Sequence, residues 1–199
     1  MLHAVSGLIK MKELKRIYQL DKVEFAVAMI AFGGVLVFGI LKGVMLAVIM
    51  SLILLIRRTA HPNVAVLGRI GNTNHYSDIE RHPDNITYNS IIILRIESSI
   101  LYFNAGHIQD MITKKIEECG NDLKLLILDL SAAPYVDVAG SKMILQLSNL
   151  LQKKEIHLKI VEALSNVRDL LRKQGMEEVI GHISRRVSIN DAVQEAVNG

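Results

Sequence analysis

Apolar and polar positions divide the chain into two unlike stretches. From Phe25 to Ile56, 32 residues, only Lys42 is charged and Ser51 is the only other polar residue. A nearly uncharged run of this length predicts membrane-spanning helix. As one straight helix it would extend about 48 Å, against a hydrocarbon core of about 30 Å, so the pattern predicts a break. The break falls at Gly39–Gly43, where Lys42 interrupts the run. That leaves FAVAMIAFGGVLVFGIL and GVMLAVIMSLILLI, 17 and 14 residues, about 26 and 21 Å long. Both are short for independent spans, and helices this short are tolerated inside a larger bundle. Glu24, Arg57 and Arg58 extend the ends by snorkelling. Gly33, Gly34, Gly39, Gly43 and Ala47 suit close helix packing, and the alternative is a buried helical hairpin of a soluble protein. Ahead of the run, KMKELKRIYQLDK (10–22) has Met11, Leu14, Ile17 and Tyr18 at helical spacing. It predicts a short basic amphipathic helix, a connector between spans or a surface-lying segment. Val5–Ile9 reads as the stump of a longer segment.

Beyond Arg58 the pattern changes. Residues 59–89 are punctuated by His61-Pro62, Gly68, Gly71-Asn72, Asn74 and His82-Pro83 and read as a linker, with a short strand candidate at Val64–Leu67. From Ser90 onward strands and helices alternate. SIIILRIE (90–97) is β-branched and apolar, a strand. Asn104 is positioned to cap a helix running to about Glu118, with Ile108, Met111, Ile112, Lys115 and Ile116 near one stripe, ended by Gly120-Asn121. LKLLILDL (123–130) reads as a strand buried on both faces, as in parallel sheets. A helix over about 138–153 turns Met143, Ile144, Leu147 and Leu150–Leu151 inward, and IHLKIVEA (156–163) is the next strand. Ser165 is the candidate cap of a helix ending at Lys173-Gln174-Gly175, with Gly175 closing it. Ser188 with Asp191 resembles a capping box opening a final helix through Val197. The alternation predicts an α/β layer, a mostly parallel or mixed sheet with helices packed on it. The expected division is 1–22, the end of a membrane segment and an amphipathic connector; 23–58, two short membrane helices; 59–89, a linker and entry to the domain; 90–199, an α/β domain.

Charge follows the same division. Residues 1–66 carry eight basic and three acidic side chains, and residues 67–199 fifteen and seventeen. The basic excess lies beside the apolar run, which points to membrane placement rather than to a nucleic-acid surface. Arg57-Arg58 directly after the run places the following domain on the cytoplasmic side. The apolar run is too long for a signal peptide, and a charged stretch precedes it. Cys119 is the only cysteine, so neither an internal disulfide nor a multi-cysteine zinc site is available.

Candidate chemistry is sparse. Neither G-x-G-x-x-G nor G-x-x-x-x-G-K-[ST] occurs, nor does G-x-S-x-G. Cys119 lies beside Glu117 and Glu118, where a thiolate is disfavoured. His107 and His157 stand alone in the sequence. His75, Asp78, Glu80 and His82 fall in a turn-rich segment and are read as loop residues rather than metal ligands. Asp129 ends a strand and Asp137 precedes a helix. They are candidates for an acid pair, but capping of free amides by Asp137 is the simpler account, with contact to a partner surface as the third possibility. Neither enzymatic activity nor a cofactor or metal is expected.

Several phrases in order now carry a resemblance. These are the two short apolar helices, the junction LLIRRTAHPNVAVLGRI, the strand IIILRIESSILYFNAGHI and then LKLLILDLSAAPYVDVAGSKMI. Tyr76, Asp78 and Glu80-Arg81-His82-Pro83 follow the junction. Together they resemble the carboxy-terminal end of a SulP-family anion permease with its STAS domain, from about residue 5 to 197. The resemblance implies a STAS-like fold and, in the complete protein, transport of sulfate, bicarbonate or dicarboxylate anions. It implies a cell-membrane location (the inner membrane in a bacterium), a cytoplasmic STAS domain and a homodimer. The partners would be lipid and the remaining transmembrane core, with no nucleic acid. The substrate site of the family lies far upstream of its last two segments, so no substrate residue is expected here, and the chain is expected to be a fragment not competent for transport alone. A membrane-tethered STAS signalling or interaction module is the alternative. The positions resembling the STAS loop are Asp129, Asp137, Gly140 and Ser141, candidates for an interaction surface. Related STAS proteins that antagonise anti-sigma factors carry a phosphorylatable D-S-S-G. Asp137-Val138-Ala139-Gly140 lacks both hydroxyls, so a phosphoswitch of that kind is not expected.

Overall fold

The computed structural model describes residues 11–120, 122–184 and 187–198. Val5–Ile9 and Asn121, both read above, lie outside them. The chain separates into two compact units, divided between Arg58 and Thr59.

The first unit is helical: α1 (Met11–Leu20), α2 (Lys22–Phe38) and α3 (Ile40–Ala60). The Asp21 carboxylate caps α2, accepting from the amides of Val23 and Glu24 at 2.8 and 3.1 Å. The apolar run breaks at one residue, Gly39, whose φ of +80° is a conformation that glycine adopts without steric cost. Lys42 is therefore not in the break but in the first turn of α3, exposed. Because α3 continues through Arg57 and Arg58 it has 21 residues, long and apolar enough to cross a membrane. This corrects the 14 residues read from the apolar segment alone, since helical hydrogen bonding does not stop where the side chains become charged. α2 and α3 double back on each other. A Cβ on Gly43 would fall 2.4 Å from the Val35 amide nitrogen, and at the other end Arg58 pairs with Asp21 and Glu24. Phe32, Leu36, Val37, Leu41, Val48 and Leu55 remain exposed.

The second unit is an α/β layer. Its elements are β1 (Val64–Arg69), β2 (Tyr76–Asp78), β3 (Ile91–Ile96), α4 (Ala105–Glu118), β4 (Leu125–Asp129), α5 (Val138–Lys153), β5 (His157–Val161), α6 (Ser165–Lys173), α7 (Met176–Ile180) and α8 (Ile189–Asn198). One sheet runs β2-β1-β3-β4-β5. β3, β4 and β5 are parallel, while β1 is antiparallel to both its neighbours, so the sheet is mixed. The segment read as linker and domain entry supplies two of the five strands, β1 covering the strand expected at Val64–Leu67 and β2 unexpected.

Alternation sends the strand side chains to two cores. Ile92, Leu94, Leu126, Leu128, Leu158 and Ile160 pack with Ile108 and Ile112 of α4, Ile144 and Leu147 of α5, Val167 and Leu171 of α6 and Met176 of α7. On the opposite face Ala65, Leu67, Ile91, Ile93, Leu125 and Ile127 pack under Ile189, Ala192 and Val193 of α8. Ser188 and Asp191 form the expected reciprocal cap of α8. One other expected cap differs: α6 begins after Leu164, with no side-chain cap, so Ser165 lies inside the helix. Gly175 closes α6 as expected, left-handed at φ +75° just after the C-cap Gln174, and also opens α7.

Candidate functional site

The parallel strands end together, and the segments after β3, β4 and β5 meet at one edge of the sheet. In open α/β sheets this is the edge where ligands and partners bind. Here the loops are stitched to one another. The Ile100 amide donates to the Tyr135 carbonyl at 2.9 Å, and the Asp137 amide donates to the Ile100 carbonyl at 3.0 Å. This makes a one-rung parallel bridge between Ile100 and Val136. Asn166 joins the third loop, donating to the Pro134 carbonyl at 3.0 Å.

Asp137 uses both carboxylate oxygens. Oδ1 accepts from the Gly140 amide at 2.7 Å, capping α5, and Oδ2 accepts from the Tyr102 amide at 2.8 Å, holding the β3–α4 loop. Gly140 is required by proximity: a Cβ there would lie 2.6 Å from the Ile100 carbonyl oxygen. Ser141 is fully buried, and its hydroxyl donates to the Val138 carbonyl at 2.9 Å. Asn104 sits at the N-cap position of α4 without making the expected side-chain cap. Its Oδ1 accepts from the Leu101 amide at 2.8 Å, and its Nδ2 donates to the carbonyls of Ser99 and Thr59 at 3.0 and 3.1 Å. It fastens the turn below the helix instead.

Asp129 belongs to a different arrangement. Fully buried at the end of β4, it accepts from Arg95 Nε at 2.6 Å and from the Ser131 amide at 2.8 Å. The structure therefore brings Asp137, Gly140 and Ser141 together at one helix start and gives Asp129 its own partners. The two carboxylates serve structural hydrogen bonds and do not form an acid pair.

Among the polar groups at this edge, several apolar and aromatic side chains point outward. Tyr102 is 76% exposed and Tyr135 54%, with Val138 and Leu164 also exposed. Sequence reasoning missed the two tyrosines. Their only signal is that each is an aromatic residue in a short loop following a buried strand. Elsewhere, desolvation and then Glu118 push the thiol of the exposed Cys119 up, which disfavours its thiolate. Among the described residues no group of three or more His, Cys, Asp or Glu is placed to hold a metal ion.

Fold and loops together define a mixed-sheet α/β domain whose loop edge is ordered and bears exposed aromatic side chains, preceded by apolar helices. The STAS domain family model matches residues 82–196, and the chain belongs to the STAS domain family. Over 200 residues it is 32% identical to the Arabidopsis thaliana protein "Sulfate transporter 4.1, chloroplastic", covering 96% of this chain and 29% of that protein. It is 26% identical to "High affinity sulfate transporter 1" of Stylosanthes hamata, covering 96% and 30%. The chain thus spans about a third or less of the curated relatives it matches. Among solved structures, the murine Solute Carrier 26 family member A9 anion transporter in the inward-facing state shares the fold. Its TM-score is 0.80 at 22% identity, over 99% of this chain and 32% of that one.

Proposed function

We propose that these residues form the carboxy-terminal part of a secondary anion transporter of the sulfate, bicarbonate or dicarboxylate type. In this reading residues 23–58 are two membrane helices of a larger core, 59–89 lead into the domain, and 90–199 are a cytoplasmic STAS domain serving assembly or regulation in a homodimer. The observation that supports it best is continuity. Similarity to sulfate transporters extends over 96% of the chain, apolar helices and α/β domain alike, whereas a generic membrane tether needs no such match. The physics agrees: a two-helix hairpin encloses no site, while anion sites in such transporters are built from facing half-helix ends within a multi-helix core. The test is a chimera in which the chain replaces the corresponding part of the Arabidopsis thaliana relative. Sulfate uptake in the chimera, and none in proteoliposomes holding the 199-residue chain alone, is the expected result. A chimera that reaches the membrane but carries no sulfate, or saturable flux through the isolated chain, overturns the reading.

A further inference from the structure

On the α8 face of the sheet a cationic side chain carries a buried nitrogen that is unpaired among the described residues. Arg69 ends β1 directly opposite Tyr76 of β2, and residues directly opposite in an antiparallel pair share a face. That face is the one Ala65 and Leu67 turn toward α8. The Arg69 Nε is buried and has no hydrogen-bond partner among the described residues. A guanidinium keeps its charge throughout the physiological range, and all its polar atoms are donors. A buried donor left unmade is costly, more so when charged, and such a defect in a well-packed fold points to an absent acceptor.

The neighbours are hydrogen-bonding groups. Tyr76 and Tyr88 both pack against the second core. The Tyr76 hydroxyl is pushed up to about 12, first by burial and next by its hydrogen bond with Tyr88, while the Arg69 charge acts to lower it. The Tyr76 hydroxyl thus stays neutral and keeps its proton to donate. Asn190, in the first turn of α8, lies 3.5 Å from the Tyr76 hydroxyl, the outer limit of a hydrogen bond. The Asp191 carboxylate on the same turn is engaged by the Ser188 amide and hydroxyl.

We propose that Arg69, Tyr76, Tyr88 and Asn190 form a binding site for a small oxyanion, inorganic or carboxylate, between the β1–β2 edge and the start of α8. The anion supplies the acceptor that Arg69 lacks and takes charge-assisted bonds from the guanidinium. The tyrosine hydroxyls complete its coordination, and the positive end of α8 adds a favourable field. This site is independent of the transporter reading.

The full chain in detergent, with its tyrosines labelled at ring Cζ with carbon-13, provides the test. Its five tyrosines give two reporters and three internal controls. Sodium sulfate and, separately, sodium acetate are titrated at ionic strength held constant with sodium chloride. Saturable shifts confined to Tyr76 and Tyr88 are expected with at least one of the two, and the stronger binder identifies the anion as inorganic or carboxylate. Arg69→Gln weakens that binding about tenfold or more. Tyr88→Phe, which removes only a hydroxyl, weakens it several-fold and keeps the test valid if the arginine variant misfolds. The proposal is overturned by non-saturating shifts shared by all five tyrosines, by no shift with either salt, or by a Tyr88→Phe variant that titrates like the native chain.

Discussion

Asp129 shows how much a single side chain can depend on a distant one. Its carboxylate is fully buried, and its partner Arg95 stands on the neighbouring strand, 34 residues away in sequence. Arg95→Ala leaves that carboxylate without its cation, and breaking a buried pair from one side costs about 3 kcal/mol or more. Urea unfolding of the chain in detergent should show this loss, and a change near zero would mean that the Ser131 amide alone suffices. Ser141 makes the converse case. Its hydroxyl is buried and bonded to Val138, so Ser141→Ala costs about 1 kcal/mol or less. Ser141→Asp is far more damaging because it buries an unpartnered carboxylate. Phosphopeptide mapping after incubation with a STAS-directed kinase should find no phosphate on residues 138–141. At this scale the sequence was informative where a role is local: Asp137 could be read as a cap because its capping target, the Gly140 amide, lies within the next turn, while its bond to the distant Tyr102 amide left no such sign. Arg95 and Tyr102 could not be assigned, and Asn104 reads as a cap it does not make, because their partners or their exposure arise from chain segments that meet only after folding.

Among the elements, the helical turn from α6 to α7 hangs on one carboxylate. Glu177 accepts from the Ile183 amide at 2.9 Å and from Arg172 Nε at 3.0 Å, and it pairs with His182 at 2.9 Å. These contacts, the Ile183 amide first, hold Glu177 below its ordinary value of 4.5. A carboxyl whose folded value is depressed stabilises the fold above its unfolded value and loses that contribution as pH falls through the folded one. Acid titration should therefore loosen α6–α7 below about pH 4.5, read by hydrogen exchange of the 181–183 amides. Glu177→Gln should remove this step, and an unchanged acid profile in that variant would refute the assignment. In the first unit, Lys42 lies one turn beyond the Gly39 corner, and Leu41 and Lys42 are exposed. Cysteines placed at these two positions should react with a membrane-impermeant thiol reagent from the side opposite Arg57 and Arg58. Inaccessibility of both would exclude a corner at the membrane face. The long apolar strands and amphipathic helices were legible because burial imposes their period. β2 was not: it has three residues, all half-buried, and only its pairing with β1 makes it a strand. The antiparallel sense of β1 was equally hidden, since direction leaves no mark on side-chain alternation.

For the whole molecule, the composition is the sum of two unlike units. The first exposes its apolar residues and the second buries them in two cores. Placed on a transporter core, the second unit needs a surface through which to act, and the edge bearing Tyr102 and Tyr135 is suited to that role. Replacing both with Ser in the chimera described above should leave the melting temperature nearly unchanged, because neither side chain belongs to a core. Sulfate uptake or dimer yield by crosslinking should fall several-fold, as expected when exposed aromatic anchors are truncated. Unchanged uptake and dimer yield would assign the edge no role in assembly or coupling. The Ile100–Val136 bridge bears on how such a contact would form. By tying two loops into an additional rung of the sheet, it sets their shape before any encounter. A partner landing there has little chain entropy to remove, so association would be governed by collision and orientation rather than by the time a floppy loop needs to find its bound form.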